Sequence, residues 1–211
     1  MNREELRGTE RSVFVCNGAT GHSKNGGRAE YDFYASEPKC ATLLMEIEPQ
    51  ISNIWENAVG EGHLAEEFRK AGKLGAVSDL INRGYEPEGI PTSYGLDFLK
   101  FDKVWEGDIV TNPPFQEVTG KGQGQWVKHS LDCITEGHYL ALFMKITFLE
   151  GKTRKDLFKE LPPLRVWVSS SRLNCAKNGD FEKYGKGSAA CYCWYIWQKG
   201  YKGPTELKWF N

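Results

Sequence analysis

An α/β domain built around a mainly parallel sheet is the fold class this sequence predicts. Short apolar runs alternate along the chain with segments whose apolar residues recur at helical spacing. One of those runs ends in a glycine turn and another in a pair of prolines, the punctuation expected where strands hand over to loops. At 211 residues, with 40% apolar and 26% charged side chains, the chain suits one domain with a full core and excludes wholesale disorder.

The elements follow in order. Residues 1–30 are polar and glycine-rich (NGATGHSKNGGRAE) and read as an N-terminal arm, with the domain proper over 31–211. Pro38 suits a first helical turn, after which Cys40, Leu43, Leu44 and Ile47 recur at helical spacing. Ile51 to Trp55 reads as a buried strand, Gly60-Glu61-Gly62 as a turn, and His63 to Ala71 as an amphipathic helix. Strands are expected at Leu74 to Val77, Asp108 to Thr111, Tyr139 to Ile146, Leu164 to Val168 and Ala189 to Gln198, with helices at Trp126 to Ile134 and Thr153 to Leu161. Glycine-rich loops at 18–27, 84–95, 119–125 and 178–187 are the segments expected to carry function.

Charge and cysteine content narrow the function classes. The net charge is −1, but residues 1–99 carry −6 and residues 100–211 carry +5. A basic C-terminal half permits contact with nucleic acid without demanding it. No stretch approaches the ~20 apolar residues of a membrane span, and the first residues lack the apolar core of a secretory signal. The six cysteines are therefore expected as free thiols in a cytoplasmic protein with no membrane partner. Oligomeric state is not legible.

Two constellations carry chemistry. In Ile54-Trp55-Glu56-Asn57-Ala58-Val59-Gly60-Glu61-Gly62 a strand gives way to a glycine turn and a helix start, the arrangement in which backbone amides approach a ligand. Asp79 ends the next strand about twenty residues on, where a carboxylate accepts hydrogen bonds from ribose hydroxyls. Asp97 and Phe98 pair a carboxylate with an aromatic ring suited to clasping adenine. Taken in this order, these residues describe a pocket for an adenosine-containing cofactor.

The second constellation is Asn112-Pro113-Pro114-Phe115, closing the strand from Asp108. Two prolines fix φ and stiffen the turn. The side-chain oxygen of Asn112 and the backbone carbonyl of Pro113 could then point at one spot, as two acceptors for a planar amino group. Accepting both N–H hydrogens draws the nitrogen lone pair out of conjugation and frees it to attack an electrophilic methyl group, a matter of orientation and fixed dipoles rather than of a strong base. Phe115 would stack on the target.

On these residues the chain resembles the S-adenosylmethionine-dependent DNA N6-adenine methyltransferases, particularly the short ones encoded by phages and prophages, over about residues 15 to 211. Asp32-Phe33-Tyr34-Ala35-Ser36-Glu37-Pro38 looks like the family's upstream D-x-Y-x-T-P motif, with Ser36-Glu37 in place of Thr-Pro. Trp55 to Gly62 is similar to the first cofactor loop, with Asn57 where proline is common. Asn112 to Phe115 matches the catalytic N-P-P-F/Y, and Phe143 to Gly151 looks like a later strand–helix element of the phage-type subgroup. The resemblance implies a Rossmann-like seven-stranded sheet, mostly parallel with an antiparallel last strand and helices on both faces. It implies S-adenosylmethionine as cofactor and DNA as substrate. Asp32, Tyr34 and Pro38 would close over the methionine end, while Glu56, Asn57, Gly60, Gly62, Asp79, Asp97 and Phe98 hold the rest. Asn112, Pro113, Pro114 and Phe115 would form the catalytic loop.

The same loop suits two other substrates, a protein glutamine amide and an RNA base, and the fold also suits a catalytically inert binding module. Cys191-x-Cys193 lacks a second Cys/His pair and reads as core rather than metal site. His63, beside the glycine turn, is placed to line the pocket. Trp194 to Trp197 read as core, and Lys152, Arg154 and Lys155 as a small basic cluster within reach of phosphates or solvent alike.

Overall fold

A computed structural model describes residues 33–119, 124–184 and 190–211. The expected N-terminal arm, Asp32 and part of the loops at 119–125 and 178–187 lie outside the described residues. Among the described residues no helix is long and apolar enough to cross a membrane.

The chain opens with strand β1 (Tyr34–Ser36) and helix α1 (Lys39–Ile47), entered at Pro38, whose φ of −54° is already helical. The expected apolar stripe is present, with Cys40, Ala41 and Leu44 buried. Then come β2 (Ile54–Glu56), α2 (Ala65–Lys70), β3 (Leu74–Asp79), β4 (Thr92–Tyr94) and a 3-10 turn at Phe98–Lys100. β5 (Ile109–Thr111) leads into α3 (Phe115–Thr119) and α4 (Gln125–Asp132). β6 (Tyr139–Lys145) runs through a 3-10 turn at Ile146–Leu149 into α5 (Lys152–Glu160). The chain closes with β7 (Arg165–Ser169), β8 (Cys175–Lys177), α6 (Phe181–Tyr184), β9 (Tyr192–Gln198) and β10 (Glu206–Phe210).

Eight strands form one sheet in the order β10-β7-β9-β6-β5-β2-β3-β4, and β1 pairs with β8 in a separate two-stranded ribbon. Every pairing in the large sheet is parallel except those of β9, which runs antiparallel to both β6 and β7. Two features differ from the seven-stranded expectation. The antiparallel strand is the penultimate one, and an eighth strand, β10, returns parallel to β7 at the sheet edge. β10 escapes a hydrophobicity reading because Leu207 and Trp209 are exposed at 52% and 62%, while Phe210 is buried. An edge strand with so little buried side chain lacks the alternation that marks a half-covered one.

The centre of the sheet is covered on both faces, so β6 and β9 read as near-continuous apolar runs. Trp194, Tyr195, Ile196 and Trp197 are all buried as core. Their polar tips are satisfied: the Trp194 indole donates to the Cys40 carbonyl (3.1 Å), Trp197 to Leu161 (3.0 Å) and the Tyr195 hydroxyl to Lys145 (3.1 Å). Cys193 is buried in the same strand, and no described group of His, Cys, Asp or Glu could hold a metal ion.

A buried ion pair staples α1 to the far side of the sheet. The carboxylate of Glu48, 1% exposed, accepts from Nε and Nη2 of Arg165 (2.5 and 2.7 Å) and from the indole of Trp167 (2.6 Å). Charge-assisted bonds to both oxygens offset the desolvation of a carboxylate this deep.

From β2 the chain steps outward to β3 and β4 on one side, then returns to β5 on the other. At such a switch point the loops leaving the carboxyl ends of neighbouring strands diverge and open a crevice. The loops after β2, β3 and β5 and the turn after β4 all meet there.

Candidate active site

The crevice is a cleft of about 840 Å³, within the range of small-molecule sites. It is lined by Tyr34, Glu56, Asn57, Asp79, Asp97, Phe98, Asn112, Pro113, Pro114 and Phe115, so the structure brings together ten of the fourteen residues singled out from sequence. Pro38, Gly60 and Gly62 do not line it, and Asp32 lies outside the described residues. His63 does line it, as expected; burial lowers the pKa of its imidazole against the opposing pull of Glu61.

β5 delivers Asn112 to the floor of the cleft. Its Nδ2 donates to the Tyr34 carbonyl at 2.7 Å and points a second, longer contact at Cys175 Sγ (3.9 Å). Both acceptors belong to the β1–β8 ribbon, in which Tyr34 pairs with Lys177 and Ser36 with Cys175. Burial pushes the Cys175 thiol up to about 11, so it stays neutral beside the amide. Because the nitrogen end is tied down, the amide cannot flip, and Oδ1 is left as a buried acceptor with no partner. Phe115 opens α3 immediately after the two prolines and lies against Tyr34, ring centroids 6.2 Å apart at 27°.

At the other end, Glu56 and Asn57 close β2, each 2% exposed. Burial, and secondarily the charge of Asp79, hold the Glu56 carboxyl well above the usual carboxylate range. Asp79 braces the glycine turn: its Oδ2 accepts from the Gly60 amide (2.8 Å) and its Oδ1 from the Ile81 amide (2.9 Å). Arg83 stands 3.7 Å from the same Oδ1, its guanidinium 4.4 Å from the centre of the Phe33 ring. Gly60 and Gly62 have φ of +58° and +82°, and a Cβ at either would meet the Phe33 or Tyr85 ring at 2.4 or 2.2 Å. What these glycines admit in this structure is thus the close approach of two rings. Asp97 caps the 3-10 turn by accepting from Leu99 N (3.2 Å). Phe98 is 3% exposed, its ring packed between Trp55 (5.5 Å) and Trp126 (4.6 Å), so it belongs mainly to the core.

The polar inventory of the cleft is unbalanced. Among the described residues seven buried side-chain polar atoms lack a partner, and five belong to cleft residues: Glu56 Oε2, Asn57 Oδ1 and Nδ2, Asn112 Oδ1 and Trp126 Nε1. Buried polar groups are nearly always hydrogen-bonded, so a concentration of orphans in one cleft marks where a polar ligand completes them. Phe33, Arg83 and Trp126 were not visible as site residues in the sequence. Arg83 lies in a loop with no motif, and Trp126 is one more apolar residue in a helical stripe.

No protein-family model matches the chain, and no curated protein is significantly similar to it in sequence. Solved structures are similar in fold. An RNA methyltransferase candidate from Pyrococcus horikoshii (PH1948) superposes with a TM-score of 0.59 at 12% identity, covering 90% of this chain and 98% of that one. A class I S-adenosylmethionine-dependent methyltransferase candidate from Listeria monocytogenes (lmo1582) gives 0.55 at 12% identity, over 94% of this chain and 70% of that one. The M protein of the type I restriction enzyme EcoKI gives 0.51 at 14% identity, over 82% of this chain but only 45% of that one. The architecture is therefore the α/β Rossmann-like methyltransferase fold, here with a sheet of eight strands.

Proposed function

We propose that the protein transfers a methyl group from S-adenosylmethionine to the exocyclic N6 amino group of adenine in DNA. The observation that carries this reading is Asn112, whose amide nitrogen is tied to Tyr34 and whose oxygen is buried without a partner in the cleft. An acceptor fixed in that way is what an incoming NH2 group requires.

The cleft fits an adenosine-containing cofactor. Its volume is adequate, its carboxylates sit at the ends of β2 and β3, and its orphaned polar atoms on Glu56, Asn57 and Trp126 offer both donors and acceptors. Asp79 would take the ribose, Glu56 another polar group of the cofactor, and Asp97 the adenine edge. When bound, the cofactor supplies a methyl group carried on a sulfonium.

The rest of the chemistry falls to this chain's own residues. Asn112 Oδ1 accepts one N–H of the target amine, and Pro113 lends its carbonyl to the other. Both bonds localise the nitrogen lone pair and hold it in one orientation, which substitutes for a general base in starting the transfer. Tyr34 and Phe115 provide an aromatic face for the target ring, reached by extruding the base if the substrate is duplex. The nitrogen's surplus proton leaves to solvent through the open mouth of the cleft.

Incubation with tritiated S-adenosylmethionine and, separately, DNA, RNA and cell protein tests the reading. Label in DNA upholds it; label only in protein would move the target to a glutamine amide, and label only in RNA to an RNA base.

A further inference from the structure

β6 ends at Lys145, half-buried at the carboxyl edge of the sheet, with Nζ 5.7 Å from the centre of the Phe115 ring. The sheet therefore places an ammonium directly beside the ring that faces the target. Among the described residues no carboxylate lies within 4 Å of Lys145, nor of Lys152 or Lys155 in the first two turns of α5. Arg69, Lys70, Lys128 and Lys208 each face a glutamate at 2.7 to 2.8 Å, and Lys73 and Lys199 are held by backbone carbonyls; what sets Lys145 apart is its place beside the Phe115 ring.

The segment joining these lysines is held in shape by Arg154. Its Nε donates to the Glu150 carbonyl (2.6 Å) and its Nη2 to that of Thr147 (3.3 Å), with the guanidinium 5.3 Å from the Phe148 ring. Arg154 is thus committed to the turn, whereas the lysines are not. A Cβ at Gly124 would meet Leu157 at 2.6 Å, which places α5 against the start of α4. Residues 145–159 carry five basic side chains against two acidic ones and supply much of the positive charge of the C-terminal half.

Resting on the nucleic-acid reading above, we propose that Lys145 binds a backbone phosphate next to the target nucleotide, with Lys152 and Lys155 extending the grip to neighbouring phosphates. A lysine beside the base-stacking ring neutralises the phosphate that must approach when a base enters the cleft. Each such contact releases a condensed counterion, so it registers in the salt dependence of binding.

The test uses the full chain with S-adenosylmethionine and fluorescently labelled adenine-containing oligonucleotides, single- and double-stranded. Binding of Lys145→Gln should weaken at least fivefold at ~0.1 M salt, and the slope of log Kd against log salt should fall by about 0.7 to 0.9, one phosphate contact. The Lys152→Gln/Lys155→Gln pair should lower the slope further, Lys145→Arg should retain it, and cofactor affinity should stay unchanged in all. Lys208→Gln, at the distant β10 edge, should behave as wild type. A wild-type protein that methylates DNA while Lys145→Gln keeps the full slope overturns the phosphate site alone, as does an equal loss of slope in Lys208→Gln. A wild-type protein that neither binds nor methylates nucleic acid overturns the parent reading and this site with it.

Discussion

Replacing Asn112 separates its two functions, because one end of its amide is structural and the other faces the cleft. Asn112→Ala removes both. Asn112→Asp keeps an oxygen for the cleft but sets a second oxygen against the Tyr34 carbonyl, which now accepts from Nδ2 at 2.7 Å. Loss of one preorganised acceptor in an enclosed site costs about 100- to 1,000-fold in kcat, or roughly 3–4 kcal/mol. Loss of the tie to Tyr34 costs about 1 kcal/mol of stability, a fall in Tm of about 2–4 °C for a domain of this size. The assay is single-turnover methyl transfer at saturating cofactor and DNA, with cofactor affinity measured separately by calorimetry. Asn112→Ala should lose at least about 100-fold in rate, whereas Asn112→Asp, which keeps an oxygen for the cleft, should lose stability and markedly less rate; both should bind the cofactor within about threefold of wild type. Retention of the rate in Asn112→Ala would refute the reasoning. A loss of rate matched by an equal loss of cofactor affinity would also refute it, by making Asn112 a cofactor ligand.

Two further variants probe the frame around the site. Glu56 has its carboxyl raised by burial and by Asp79, so its contribution to stability is complete below about pH 4.5 and is lost as pH rises through the raised value. Glu56→Gln abolishes that loss, and the difference in Tm between variant and wild type should move in the variant's favour from pH 5 to pH 8; a pH-independent difference would contradict the assignment. Glu48→Ala leaves the half-buried Arg165 and the Trp167 indole without their acceptor and should cost about 1–3 kcal/mol by urea unfolding, whereas a cost under about 0.5 kcal/mol would show the pair to be solvated.

How much of this was legible beforehand depends on whether a residue's role is set by its neighbours in sequence or in space. The strands β6 and β9 announced themselves because burial on both faces demands an unbroken apolar run. The loop from Asn112 to Phe115 did so because two prolines after an asparagine leave few conformations open. By contrast, β4, β8 and β1 are three residues each and exist only through their pairing, which local propensity does not encode. Phe98, suited from sequence to clasp adenine, does line the cleft, but Trp55 and Trp126, distant in sequence, pack against most of its ring. The bond that fixes Asn112 ends on the backbone of Tyr34, 78 residues away, and a carbonyl carries no side-chain signature. The segment around Tyr34 and the Asn-Pro-Pro-Phe loop were each readable; their meeting was not.

The most direct measurement locates the transferred methyl group on the product. DNA methylated by the wild-type protein, digested to nucleosides and resolved by mass spectrometry, should yield N6-methyl-2′-deoxyadenosine. Asn112→Ala, assayed in parallel, should yield none above background. A methyl group found on a ring nitrogen, on cytosine, or on N6 in undiminished amount from the Asn112→Ala variant would contradict the claim that a tethered asparagine oxygen grips the amine.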